Sequence, residues 1–309
     1  MMIYNRRAML TLGAGALALS ACGKSDGGAT EDIPLKGGKT AGNMIRKVGI
    51  QTYTLREAMD VDFSGTLKMI KDAGYDYVEL NERNYADRTP AELNTALDLA
   101  GLPSPVTHMS IETIRNDLAS GILAAKTLGI EIAFVPYIAE EERGLEHWKA
   151  HARTLNSAGR VMRDEGVKLG YHNHQFEFDD LGGGTTAMQV LMDNTDPDLV
   201  CFELDIYWAV LGKVDPVELI RRYSGRFKAC HVKDMSGDPW AAIAKDASYP
   251  ELIRDYMVNV GEGDIDFERI FALNDISGME YFIAEHDQPK APYNKAITTS
   301  LNNIRAMRF

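Results

Sequence analysis

Cysteine is scarce in this sequence, with three in 309 residues, and so is positive charge, with 33 Lys and Arg against 45 Asp and Glu. The formal net charge is −12, and setting aside the two arginines of the first dozen residues takes it to −14. A chain this acidic repels phosphate, which excludes nucleic acid as a partner. It also excludes electrostatic recruitment to anionic lipid. A third thing is missing: no glycine-rich GxGxxG loop follows the first strand candidate, which removes the main signal for a dinucleotide site.

The N-terminus reads Met1-Met-Ile-Tyr-Asn-Arg-Arg-Ala-Met-Leu and runs on through apolar residues to Ala21 and Cys22. A basic start, a short apolar stretch and small residues before a boundary describe a secretory leader over 1–21, too short to span a bilayer comfortably. The pair Arg6-Arg7 resembles a twin-arginine signal. Leu19-Ser20-Ala21-Cys22 resembles a lipobox, which makes Cys22 the lipidated first residue of the mature protein. The expected location is the periplasm, with the acyl group as the only hold on a membrane. Residues 22–45, rich in Gly, Ser, Lys and Thr over 23–42, read as a flexible tether.

From residue 46 to 309, short β-rich runs alternate with longer segments of helical periodicity. Strands are expected at 47–53, 76–80, 105–109, 131–136, 167–173, 199–205, 227–233 and 280–285. Helices are expected at 63–73, 90–100, 112–128, 145–165, 186–193, 215–223, 266–274 and 293–307. Glycines 74, 101, 129 and 166 stand where helix C-caps belong. About 270 residues with eight βα repeats predict a single-domain α/β protein, a (β/α)8 TIM barrel. The doubly wound open sheet is the competing arrangement. The stretch 234–265 is expected to be irregular and to lie on the C-terminal face as a lid. Cys201 shares strand parity with Asp205, whereas Cys230 is offset by one from His231. The two thiols therefore fall on opposite faces of the sheet and should stay reduced.

Chemistry in such a barrel sits at the C-terminal ends of the strands. Those ends carry Glu79, His108, the run Tyr171-His-Asn-His174, Asp205, His231-Val-Lys233 and Glu285. Acids and imidazoles buried in apolar strands are costly unless something pairs with them. A cation held by carboxylate oxygen and imidazole nitrogen would satisfy several of them together. Lys233 has the parity of His231 and should enter the same cavity, as a proton donor or oxyanion partner, or simply in a salt bridge to Asp234 or Glu203. Trp208 is placed either to stack on a bound ligand or to pack its helix. Glu79 and His108 are expected to face substrate, and His147 and His151 to be surface or packing residues.

The motifs Val48-Gly-Ile-Gln51, Val78-Glu-Leu80, Gly170-Tyr-His-Asn-His174, Glu203-Leu-Asp205, His231-Val-Lys-Asp234, Gly261-Glu-Gly263 and Glu285-His-Asp287 occur in an order that resembles the xylose isomerase-like TIM barrels, the sugar phosphate isomerases and epimerases. The resemblance covers about residues 46–305. It implies a metal held by one residue from the fifth strand, with Asp205, His231 and Glu285. Where epimerases of that family have a fifth-strand Glu, this chain has a histidine-rich run. His174 is then the favoured fourth ligand, with His172 and Glu177 as the other candidates. The donor set suits Mn2+, Zn2+, Co2+ or Fe2+ better than Mg2+.

A cation that chelates neighbouring sugar oxygens stabilises an enediolate. The intermediate can be reprotonated, as in isomerases and epimerases, or can expel a leaving group, as in lyases and dehydratases. The histidine-rich run resembles that of inosose dehydratases and of lyases or hydratases acting on 3-keto-glycosides. The expected function is therefore a metal-dependent lyase or hydratase on a keto-sugar. Lys233, His172 and Glu285 are the catalytic candidates, and Glu79, His108, Trp208 and Glu177 are the substrate-side residues. An isomerase or epimerase is the alternative, and a non-catalytic sugar-binding lipoprotein the second. A small-molecule sugar is the expected partner, and a homo-oligomer is compatible with the sequence.

Overall fold

The computed structural model describes residues 43–309. The leader, Cys22 and nearly all of the expected tether lie outside the described residues. Ile45, placed in the tether by sequence, is buried in the outer core.

Ten strands occur among the described residues: β1 (Gly49–Gln51), β2 (Tyr77–Leu80), β3 (Val106–His108), β4 (Ile132–Val135), β5 (Lys168–His172), β6 (Val200–Asp205), β7 (Phe227–Val232), β8 (Asp234–Met235), β9 (Met257–Val258) and β10 (Tyr281–Ala284). Eight of them, all but β8 and β9, pair in parallel and close into a barrel in which β10 lies between β7 and β1. Each coincides with an expected strand, trimmed at the ends. Helices fill the intervals, and Gly74, Gly101 and Gly129 end theirs in the left-handed conformation as C-caps. The helix expected over 112–128 is two helices, because Asp117 leaves helical geometry between Ile111–Asn116 and Leu118–Leu128.

The two-residue period of the strands sorts side chains into two layers. Val78, Leu80, Leu169, Tyr171, Phe202, Leu204, Cys230 and Val232 belong to the outer core under the helices. Tyr77, Val106, Ile132, Phe134, Cys201, Ala229 and Ile283 fill the barrel interior. Cys201 and Cys230 are thus both buried and free, on opposite faces of the sheet. The interior is crowded enough that Gly49 is required: a Cβ there would meet the Tyr77 ring at 2.1 Å. Gly170 likewise makes room for the ring of Phe134. These aromatics plug the lower half of the barrel, so polar side chains one step higher on the same strands meet above the plug.

The stretch 234–265 is not irregular. It contains helices Pro239–Ile243 and Tyr249–Tyr256 and the antiparallel pair β8–β9. Leu252, Ile253, Met235 and Met257 pack with Tyr207, Trp208 and Leu211 into a separate apolar cluster over the C-terminal face. Asp234 anchors this cap. Its carboxylate accepts from the backbone N–H groups of Met235, Gly261, Gly263 and Ile265. A Cβ on Gly263 would fall 2.3 Å from Asp234 Oδ1, which explains the glycine opposite the aspartate.

Candidate active site

The inward positions at the strand ends form two tiers. In the lower tier, Glu79 from β2 and Glu203 from β6 are fully buried and face three imidazoles. Glu79 Oε2 accepts from Gln51 Nε2 at 2.8 Å and lies 2.6 Å from His231 Nε2. Glu203 Oε2 lies 3.1 Å from His108 Nε2 and 3.0 Å from His172 Nδ1. Burial works against a charge on Glu203, but the surrounding His231, His108 and His172 outweigh it and hold its carboxyl well below the ordinary range. Burial and the charge of Glu203 push Glu79 the other way. Burial also keeps His172 neutral, with its pKa down to about 3.

The upper tier contains Asp205, Glu285, Asp287 and Lys233, with His231 reaching up from below. Asp205 ends β6 and caps the next helix, Ile206–Leu211, by accepting from Trp208 N through Oδ1 at 2.9 Å. Its other oxygen points into the barrel, 3.7 Å from His231 Nδ1 and 3.8 Å from His172 Nε2. Glu285 Oε2 stands 2.6 Å from His231 Nδ1. The Lys233 ammonium sits 2.7 Å from Glu285 Oε2 and 3.1 Å from both Asp205 Oδ2 and Asp287 Oδ1. Burial opposes its charge, yet Asp205, Asp287 and Glu285 together hold its pKa well above the ordinary lysine value. Its salt-bridge partners are thus Asp205, Glu285 and Asp287, not the Asp234 or Glu203 expected from the sequence.

Whether these residues suit a divalent cation can be judged from how they face one another. Asp205 Oδ2 and His231 Nδ1 are buried without a hydrogen-bond partner, although a carboxylate oxygen stands close to the imidazole nitrogen. Ligand atoms from Asp205, His231 and Glu285 all lie within 4.8 Å of one another. Five carboxylates gather in the two tiers, against one ammonium and the imidazoles, which leaves excess negative charge in a largely buried site. The donor set fits a cation of mixed oxygen and nitrogen preference. In a second group, His108, His172, Glu203 and His231, ligand atoms likewise lie within 4.8 Å of one another. There the imidazole nitrogens are already engaged with carboxylate oxygens.

His174 and Glu177 depart from the expected ligand arrangement. β5 ends at His172, and Asn173 then bonds both ways with the Asp205 backbone, turning the chain off its strand course. Extrapolating strand parity to His174 therefore fails, and its nitrogens are in neither group of converging ligand atoms. Its ring stacks between Phe176 and Trp208, with centroids 5.6 and 5.7 Å away. Glu177 does not reach the cluster. It accepts from the Tyr171 hydroxyl and from His174 N, with its pKa pushed up to about 7 by burial. It braces the loop after β5 from the outer layer.

Trp208 is buried, 5.1 Å from the Tyr249 ring in a stacked pair, and the Lys233 ammonium lies 5.2 Å from its centroid. It packs the cap and roofs the upper tier together. Of the substrate-side candidates, His108 keeps a side-chain exposure of 10%, whereas Glu79 is closed off at 0%. His151 is a packing residue, bonded to Arg115 and the Glu142 carbonyl. Three residues with direct places in the tiers were not singled out as site residues from sequence: Glu203, Asp287 and Gln51. Glu203 stands two residues before Asp205 and shares its inward parity, a signal that was available.

A closed parallel barrel with an acid- and imidazole-rich C-terminal mouth is the architecture of a TIM-barrel protein with its site at the C-terminal face. The model of the xylose isomerase-like TIM barrel family matches residues 67–307, and the chain belongs to that family. It is similar to an inosose dehydratase of Clostridium perfringens, 34% identical over 152 residues, covering 48% of this chain and 50% of that one. The match thus spans about half the length of that curated relative. An inosose dehydratase of Salmonella typhimurium is 26% identical over 234 residues, covering 66% of this chain and 75% of its own. Among solved structures, a sugar phosphate isomerase/epimerase from Parabacteroides distasonis superposes with a TM-score of 0.68 and 26% identity, covering 84% of this chain and 93% of its own. The IOLI protein with a bound zinc atom shares the fold, with a TM-score of 0.63 at 16% identity over 83% of this chain and 96% of its own.

Proposed function

We propose that this protein is a divalent-metal-dependent lyase or hydratase that acts on a keto-sugar, such as an inosose or a 3-keto-glycoside, through an enediolate. The observation that carries the reading is the convergence of Asp205, His231 and Glu285, whose ligand atoms lie within 4.8 Å of one another, with Asp205 Oδ2 and His231 Nδ1 buried and making no hydrogen bond. The inosose dehydratase relatives and the bound zinc of the IOLI protein support it. A bound cation there would polarise the ketone and stabilise the enediolate.

The chain's own residues supply the rest. Lys233, held as an ammonium over the Trp208 face, is placed to give a proton to a departing oxygen. Glu285 and the neutral His174, whose Nδ1 is buried without a partner, are placed to take the carbon-bound proton. Trp208 and Tyr249 roof the site and exclude water.

Isomerisation or epimerisation is the second reading, favoured by the name of the Parabacteroides distasonis structure. Two-base epimerisation needs a second base across the sugar from Glu285, a role that an imidazole of the run after β5 would have to fill in place of a carboxylate. The test is incubation with an inosose, a 3-keto-glucoside and a ketohexose in deuterated water. The lyase reading expects dehydrated inosose or free aglycone with an unsaturated or hydrated keto-sugar. Rapid epimerisation of the ketohexose without elimination would replace it with the second reading.

We also propose that the protein works in the periplasm on a lipid anchor at Cys22, as the leader pattern implies. Cys22→Ser is expected to move it from the membrane fraction to the soluble periplasm and to remove the acyl mass from its N-terminal peptide. A wild-type protein already soluble and unacylated would end this proposal.

A further inference from the structure

The fifth-strand member of the cation site is the piece that departs from the family pattern, and the lower tier bears on it. Glu203 Oε2 stands 3.0 Å from His172 Nδ1. The same oxygen stands 3.1 Å from His108 Nε2 and 3.3 Å from His231 Nε2, and one carboxylate oxygen among three imidazole nitrogens can accept in every contact but donate in only one, so it is the acceptor here. His172 Nε2 makes no hydrogen bond, its nearest carboxylate oxygen being 3.8 Å away, which assigns the ring proton to Nδ1. With that proton on Nδ1, Nε2 carries a bare lone pair. It faces Asp205 Oδ2, a buried oxygen that the Lys233 ammonium approaches to 3.1 Å. The imidazole lone pair has no donor of its own, and a cation held between it and Asp205 would satisfy it.

His231 repeats the arrangement. Its Nε2 is 2.6 Å from Glu79 Oε2, and its Nδ1 turns to Asp205 and Glu285. Two strand-borne imidazoles therefore each present one nitrogen to a buried carboxylate below and the other to the same upper point. A metal-binding histidine is commonly oriented in this way by an outer carboxylate. His174 has no such support: its ring is held by stacking and its backbone by Glu177.

We propose that Glu203 is a positioning residue for the cation site. By taking the Nδ1 proton of His172 it fixes that tautomer and turns Nε2 toward Asp205, His231 and Glu285, which makes His172 the ligand supplied by β5. The inference rests on the metal-dependent reading above. It adds a tautomer, a ligand and a residue that acts only through another.

The experiment uses Co2+ as probe on the full chain, read by its visible absorption and by competition with a chelator. Glu203→Leu, which removes the acceptor, is expected to weaken cobalt binding by ~10–100-fold and to change the spectrum. Glu203→Gln, which keeps an acceptor oxygen without the charge, is expected to recover most of both. A residue that merely neutralised charge would not be rescued by the amide. In a His172→Ala background, Glu203→Leu should cost nothing further. Unchanged binding in Glu203→Leu, or an additive loss in the double variant, overturns the proposal. A measurement that needs no Glu203 variant is nitrogen-15 NMR of the wild-type metal-free protein, with the His172 ring assigned by its loss in His172→Gln. The expected signature is protonated Nδ1 and bare Nε2; the opposite tautomer overturns the proposal even if the Glu203 variants do not fold. A wild-type protein that takes up no cobalt overturns the metal-dependent reading itself, and this inference with it. Bound cobalt with an indifferent Glu203 overturns the inference alone.

Discussion

Asp205→Asn is expected to cost the protein its divalent cation and about 10³-fold in turnover, while leaving the metal-free fold intact. The loss follows from the position of Oδ2, the oxygen nearest in common to His231, His172 and Lys233. The amide replaces that anionic donor with a weak neutral one. Bound metal is worth several kcal/mol to an enediolate transition state, and ~1.4 kcal/mol is tenfold in rate. The fold should survive because the amide oxygen can keep the Oδ1 bond to Trp208 N that starts the following helix.

The electrostatic sign supports the same expectation. Burial raises the Asp205 pKa to about 6, above its unfolded value, so the folded metal-free protein binds this proton more tightly than the unfolded chain does. The ionised carboxylate is then a penalty on the fold, which grows as pH rises through the unfolded value and is fully present above about 6. Asparagine removes that penalty. The metal-free variant should therefore melt no lower than metal-free wild type at pH 7–8, and added metal should raise its Tm far less. Metal content after dialysis, paired melting curves and steady-state rates check the three parts. A variant that retains one cation per chain would remove Asp205 from the site.

The barrel was legible in the sequence for a physical reason that also marks where reading fails. Strands buried on both faces are short apolar runs bounded by glycine-capped helices, and their two-residue period carries inward and outward positions along with it. That is why Asp205, His231, Lys233 and Glu285 could be placed together and the two thiols apart. The period holds only while the chain stays in a strand. At His174 the strand has ended, and the Asn173–Asp205 bonds and the Glu177 brace set the side chain's direction. Neither contact has a local signature.

The cap at 234–265 was misread for a related reason. Helices of five and eight residues carry too little intrinsic stability to stand out by periodicity. They form because Leu252 and Ile253 find Trp208 and Met235 across the mouth and because Asp234 gathers four backbone N–H groups. Glu203 is the opposite case, in which strand parity was sufficient. A strand that sends Asp205 inward must send inward the residue two before it, and a buried acid there needs partners.

Lys233→Ala should leave the cation bound and slow elimination by ~10²-fold or more, which separates it from any ligand variant. Lys233 contributes no ligand lone pair while it is an ammonium, and Asp205, Asp287 and Glu285 hold it in that form. Its removal takes a positive charge from among three carboxylates, so metal should bind at least as tightly as in wild type. What is lost is a proton donor lying beside Glu285 and across the Trp208 face. If that donor serves the departing group, carbon–hydrogen cleavage persists when the lysine is gone and the enediolate returns to substrate. In deuterated water, keto-sugar recovered from the variant should then carry deuterium at the carbon next to the ketone, while release of the leaving group is slow. Lys233→Arg should not restore the rate, because a guanidinium is too weak an acid to replace the ammonium in this role. Deuterium exchange and elimination falling by the same factor would move Lys233 to the enediolate-forming step, as the group facing the oxyanion, and a loss of bound metal would make it part of the cation site.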